Sequence, residues 1–93
     1  MGEMKRTGPG EAQLLEGGAV VGQAQWRMEP LAWPGEEVRV AVVENLQAPD
    51  GLRADFWAYL CFLFQRDRAA AAKLYGVLFW FSDALKKSYE AAQ

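Results

Sequence analysis

The feature that most constrains this chain is a change in hydrophobic period between residues 45 and 52. Before it, residues 19–29 ("AVVGQAQWRME") and 36–45 ("EEVRVAVVEN") alternate between apolar and polar side chains, which is typical of half-buried strands. From Leu52 onward the apolar residues recur at helical spacing, and Gly76 is the only glycine or proline as far as Ala91. This order predicts a sheet followed by helical structure.

The two alternating stretches predict an antiparallel pair of strands. The segment between them, residues 30–35, contains prolines and a glycine that favour a turn and cannot continue a central ladder. The alternation predicts that Val20, Trp26 and Met28 face the core. On the opposite face we expect a solvated surface.

The same pairing predicts cross-strand charge contacts on the solvated face. Arg27 and Glu29 are expected to lie near Glu37 and Arg39. Such pairs each stabilise a sheet by about 0.2–1 kcal/mol.

The N-terminal part of the chain gives weaker signals. Residues 1–10 contain three glycines and a proline and are predicted to form a flexible arm, so that residues 11–93 make a single α+β domain. "EAQLLE" (residues 11–16) predicts a short edge strand that ends at the hairpin turn Gly17-Gly18. No apolar stretch follows the first basic residues, which predicts a cytoplasmic protein without a secretory signal.

The helical region permits two arrangements. A heptad seam runs through the whole region and favours one helix of about 40 residues, which would extend for about 60 Å. Asp67 interrupts this seam and is more natural at a cap, which favours a helical hairpin, and Asp50 is the candidate N-cap of the first helix. Ala72 and Gly76 lie on one helix face, where small residues allow close approach of another helix, although glycine inside a helix costs about 1 kcal/mol.

The first helical segment has a broad apolar face that we expect to cover the sheet. On a helical wheel it consists of Leu52, Phe56, Trp57, Leu60, Cys61, Leu63 and Phe64. The predicted fold class is therefore α+β, a small antiparallel sheet of two or three strands within residues 11–45, covered on one face by one or two long helices within residues 50–91.

Four aromatic residues fall on the predicted polar helix stripes and are the candidate partner-binding residues: Tyr59, Phe62, Phe79 and Trp80. Burying a Phe side chain contributes roughly 1.5–3 kcal/mol, so large rings in polar stripes indicate surface that another molecule covers. The simpler interpretation is that some of them are exposed, as apolar residues on soluble proteins often are.

The chemistry of the chain excludes several classes of function. It has no His, one Cys and a net charge of −2, which argues against His-based nucleophilic catalysis, a disulfide framework and bulk-charge nucleic-acid binding. Cys61 lies in an apolar run that disfavours its thiolate. The apolar run Phe56–Phe64 is about half as long as the roughly 20 residues that span a membrane. No metal or cofactor site is predicted, because carboxylates such as Glu44 have no ordered ligand spacing.

The sequence therefore predicts a non-enzymatic assembly or protein-interaction module that binds through aromatic helix surface. The expected partner is a second copy of the chain, as a homodimer, or else another protein, with no nucleic acid and no membrane. The alternative is a small-molecule-binding protein with a pocket lined by Trp26, Trp57 and Tyr59. A third possibility, an enzyme that uses Asp55 or Asp83, is the least favoured.

Overall fold

The computed structural model of the chain describes residues 2–33 and 36–81, which form one mixed sheet covered on one face by a helix. The elements are β1 (Glu3–Gly8), β2 (Glu11–Glu16), β3 (Ala19–Trp33), β4 (Glu36–Gln47), α1 (Asp50–Arg66), β5 (Ala71–Leu74) and β6 (Val77–Trp80). The strands lie side by side in chain order. The first four form an antiparallel meander, α1 carries the chain over to β5 parallel to β4, and β6 returns antiparallel to β5.

The predicted fold class is wrong in two respects. The sheet of the described residues has six strands and includes a parallel pair, instead of two or three antiparallel strands. The helical hairpin is also wrong, because the described chain after Arg66 returns to the sheet as β5 and β6. The prediction of helix beyond residue 81 lies outside the described residues.

The strand prediction for residues 11–16 is confirmed, and Gly17-Gly18 forms the turn to β3. β2 is an inner strand, however, because β1 pairs along its other side. Residues 3–8, which the composition places in an arm, thus belong to the sheet. Gly10 attaches the β1–β2 turn to β3, because its carbonyl accepts a hydrogen bond from the Trp26 N–H (2.9 Å). This close approach requires glycine, since a Cβ at position 10 would lie 2.3 Å from the Trp26 carbonyl oxygen.

The core face of β3 follows the predicted alternation only after a bulge. Trp26 is buried and Met28 packs against the core, as predicted. Val20 is 54% exposed, because Leu14 pairs with Gly22 and Leu15 with Val20, so that one extra residue in β3 moves Val20 to the other face.

The antiparallel pairing of β3 and β4 is confirmed, but the predicted charge register is wrong. Arg27 lies opposite Val42 and forms ion pairs with Glu29 and Glu44. β3 extends farther than expected, to Trp33, and includes Pro30. β2 pairs only as far as Gln25, so the end of β3 is an edge where a proline is tolerated.

The predicted core face of α1 is confirmed. Phe56, Leu60, Cys61, Leu63 and Phe64 are buried, and Leu52 and Trp57 pack against the same cluster. The sheet residues beneath the helix include four completely buried alanines: Ala12, Ala24, Ala41 and Ala72. Small side chains in the sheet leave room for the large rings of the helix, which is how a chain of this size fills its core.

Helix α1 ends in a Schellman motif, which sequence reasoning did not find. The Ala69 N–H donates to the Phe64 carbonyl (2.9 Å), the Arg68 N–H donates to the Gln65 carbonyl (3.0 Å), and Arg68 has φ 63°. Asp67 is the C-cap of α1 and not the N-cap of a second helix. Asp50 is likewise the first helical residue, and Pro49 occupies the N-cap position.

Residues 71–80 are a β-hairpin around the two-residue turn Tyr75-Gly76. Both turn residues have positive φ (52° and 82°), as the commonest tight hairpin turn requires. Gly76 therefore serves a strand turn and does not bring a second helix close to Ala72. Alanines at residues 69–72 favour helix locally, but pairing of Ala71 and Ala72 with β4 overrides this preference.

Candidate interaction surface

The structure separates the four predicted partner-binding residues into three places. Tyr59 and Phe62 lie on the flank of α1 nearest β1, Phe79 is on the helix-covered face of β6, and Trp80 is on the opposite face of the sheet. Ala72, opposite Phe79, faces the helix, whereas Ala71, opposite Trp80, belongs to the cluster on the other face. The four residues therefore do not form one surface.

Tyr59 and Phe62 are half-buried, and both are in contact with other residues of the same chain. Both pack against the main core, and the guanidinium of Arg66 lies 5.7 Å from the Phe62 ring centre. Burial raises the pKa of Tyr59, while the guanidinium and backbone of Arg6 act in the opposite direction. These two side chains contribute to the closed flank of α1 rather than to a free aromatic stripe.

An ion pair that sequence reasoning missed connects β1 to the end of α1. Arg6 donates two hydrogen bonds to the two carboxylate oxygens of Asp67, at 2.9 and 2.7 Å, and lies over the Trp26 ring at 5.6 Å. The hydrogen bonds to Asp67 raise the pKa of Arg6, against the effect of its partial burial. A local sequence pattern could not predict this contact, because Arg6 and Asp67 are 61 positions apart in the chain.

The β6 edge, defined as Val77–Trp80, is a run of four exposed apolar residues. Its residues are 55%, 38%, 37% and 50% exposed in chain order, so apolar side chains are accessible on both faces of the strand. No charged residue occurs in it. Natural sheets usually protect an edge with charges, prolines, bulges or a covering element.

The β6 edge is nevertheless held in place by contacts to α1. The Phe79 and Trp57 ring centres are 5.2 Å apart, and Trp57 in turn lies 6.2 Å from Phe64 in the core. Arg53 on α1 donates a hydrogen bond to the Tyr75 hydroxyl at 3.2 Å. These contacts attach the hairpin of β5 and β6 to α1.

The structure places two of the predicted pocket residues, Trp26 and Tyr59, beside Arg6 and the third, Trp57, beside β6. Trp26 is buried, with the Phe64 ring 5.1 Å away and Arg6 over its face. Trp57 lies beside β6, whereas Tyr59 is two residues farther along the helix and faces β1.

The candidate chemical groups are arranged as follows. Burial raises the pKa of the Cys61 thiol to about 12, which confirms that its thiolate is disfavoured. Asp55 is exposed on α1, and Asp83 lies outside the described residues. Within residues 2–33 and 36–81, no group of three or more carboxylate or thiol residues is placed to hold a metal ion.

The membrane-spanning capacity of the helices and the similarity to known proteins were also assessed. Among the described residues, α1 included, no helix has the length and apolar character needed to cross a membrane. Comparison of the chain with protein-family models, curated proteins and solved structures finds no match.

Proposed function

We propose that this chain is a non-enzymatic assembly module that binds a second copy of itself through the exposed apolar side chains of the β6 edge. The observation that carries the proposal is the run of four exposed apolar residues, Val77–Trp80, on the last strand of the described sheet. This replaces the predicted aromatic helix surface, because Phe79 and Trp80 belong to a strand and Tyr59 and Phe62 pack within the chain.

Energetics support association through this surface. Each apolar side chain that becomes fully buried contributes roughly 1.5–3 kcal/mol. A chain of 93 residues buries a smaller fraction of its surface than a larger domain, so a second subunit adds relatively more.

The chain offers a matched pair of positions for the test. Val77 on β6 and Val20 at the start of β3 are 55% and 54% exposed. A lysine at position 77 places a charge in the proposed interface, whereas a lysine at position 20 places the same charge at equal exposure on the other side of the sheet.

We expect sedimentation equilibrium to give twice the chain mass of 10.4 kDa for the wild type and for Val20→Lys. Val77→Lys is expected to sediment as a monomer with an unchanged circular dichroism spectrum, because burial of an unpaired charge opposes association. A wild type that stays monomeric at high micromolar concentration contradicts the proposal, as does equal dissociation of both variants.

A further inference from the structure

We infer that self-association uses one face of the β5–β6 hairpin, the face turned toward α1, and that Tyr75 is its principal anchor. The choice of face rests on the proposed function, association of two copies through exposed apolar side chains of β6. We call this surface the hairpin face and define it as Tyr75, Val77 and Phe79 with the adjoining side chains of α1, Arg53 and Trp57.

The strand pairing places Val77 and Phe79 on the same side of the sheet as α1. Val77 lies opposite Leu74 and Phe79 opposite Ala72, and both of these β5 residues contact the main core beneath the helix. Opposite residues in an antiparallel ladder direct their side chains to the same face. Val77 is 55% exposed and Phe79 37%, so both side chains remain accessible beside the helix.

Tyr75 extends the same face beyond the end of the strand. Its hydroxyl accepts a hydrogen bond from Arg53 of α1 at 3.2 Å, so the tyrosine ring reaches toward the helix. The residue is nevertheless 76% exposed, more than any residue of β6. An aromatic ring is therefore positioned by the helix and left accessible.

The backbone at Tyr75 is an independent indication of a contact site. Tyr75 has φ 52° at the first position of the two-residue turn, where asparagine, aspartate or glycine is usual. A bulky side chain is unfavourable in this conformation, and residues kept in unfavourable backbone conformations cluster at sites that contact other molecules. The turn itself gives no reason for a tyrosine, whereas contact with a second molecule does.

The rings of the hairpin face are held in place within the single chain. The Phe79 ring centre is 5.2 Å from that of Trp57, which lies 6.2 Å from the buried Phe64, and Arg53 binds the Tyr75 hydroxyl. Side chains that are already fixed lose little conformational entropy on association, and aromatic and arginine residues dominate binding energy at interfaces. The hairpin face therefore has the composition and the rigidity of an interface centre.

Charge favours a second copy of the chain as the occupant of the hairpin face. Asp50 and Arg53 are three positions apart on α1, so they are neighbours on the helix surface. In a two-fold contact each copy presents the same surface to the other, so Arg53 of one copy can approach Asp50 of the second. Val77–Trp80 contributes no charge that would oppose this pairing.

Tyr75→Asn tests the anchor without weakening the turn. Asparagine is favoured at this turn position, so the variant, diluted until it is monomeric, should melt no lower than the wild-type monomer. Loss of the ring should raise the dissociation constant of the dimer by about tenfold or more in sedimentation equilibrium, as truncation of an interface anchor does. If Tyr75 served only the fold, the melting temperature would fall and the dissociation constant would stay unchanged.

Leu78→Ala is the matched control on the opposite face. Leu78 is 38% exposed, beside Phe79 at 37%, but it lies opposite Lys73 on the face turned away from α1. Its truncation should leave the dissociation constant within about twofold of the wild-type value, whereas Phe79→Ala should raise it by about tenfold.

The outcomes separate the choice of face from the proposed function. A wild-type dimer that Val77→Lys disrupts and Tyr75→Asn leaves intact overturns the hairpin face and leaves the proposed function standing. Equal weakening by Leu78→Ala and Tyr75→Asn has the same meaning. A wild type that sediments as a monomer overturns the proposed function and, with it, the second copy as occupant of the hairpin face.

Discussion

The two edges of the sheet, β1 and β6, are built in opposite ways. β1 exposes Glu3, Lys5 and Arg6, and its pairing with β2 shifts between Arg6 and Gly8. β6 exposes four apolar side chains and carries no charge or bulge. Charges and bulges are the devices with which proteins prevent strand addition, so β1 is protected, whereas Val77–Trp80 carries neither device.

The edges also differ in how they are tied to the helix. Arg6 of β1 forms a bidentate ion pair with Asp67 at the end of α1, whereas Phe79 of β6 is in ring contact with Trp57. The charged edge is thus tied to the helix by an ion pair, and the edge to which we assign the proposed self-association is tied to it by an apolar contact.

The largest effect is expected at the residue that connects the two halves of the core. The Phe64 ring is completely buried and lies near Trp26 on one side and near Trp57 and Phe81 on the other. Phe64→Ala should lower the free energy of unfolding by about 3–5 kcal/mol in one cooperative transition seen by urea denaturation. Two separate transitions would mean that the edges belong to independent units.

A smaller effect is expected from opening the protected edge. Arg6→Met should lower the free energy of unfolding by about 1–2 kcal/mol, because it leaves the partly buried Asp67 carboxylate without its donors. Hydrogen exchange should accelerate in β1, while the sedimentation of the proposed dimer stays unchanged. The control is Lys5→Met, which removes a neighbouring exposed charge, and an equal loss in both variants would contradict a role for the ion pair.

The smallest effect concerns Cys61 on α1, which belongs to neither edge. Its pKa rises to about 12 on folding, so the unfolded chain loses the thiol proton first as the pH increases above 9.0, and the free energy of unfolding falls. Between pH 8 and pH 10 the wild type should lose about 1 kcal/mol more than Cys61→Ala. Parallel pH profiles in thermal denaturation would show that the thiol is accessible in the folded protein.

The strands that sequence reasoning found are those whose signals are local. Alternation revealed β3 and β4, a glycine pair marked the end of β2, and helical spacing gave the buried face of α1. β5 was missed because its four residues become a strand by pairing with β4 across the whole of α1. The end of α1 could not be predicted from the sequence, because the residue in the left-handed conformation after the helix is Arg68 and not the usual glycine.

The candidate surface was predictable only in part. Phe79 and Trp80 stood out as aromatic residues in excess of what the core requires, and both are substantially exposed. Their assignment to a helix was wrong, since Tyr75-Gly76 before "VLFW" is a hairpin turn followed by residues that favour strands. The grouping with Tyr59 and Phe62 failed because sequence spacing carries no information on which sheet edge each residue approaches.

The position of β6 in the chain has a consequence for biosynthesis. A ribosome completes the other five described strands and α1 before it adds Val77–Trp80. The residues of the proposed interface are therefore synthesised after those that supply most of the core. A nascent chain can thus begin to bury its own apolar side chains before the proposed interface exists.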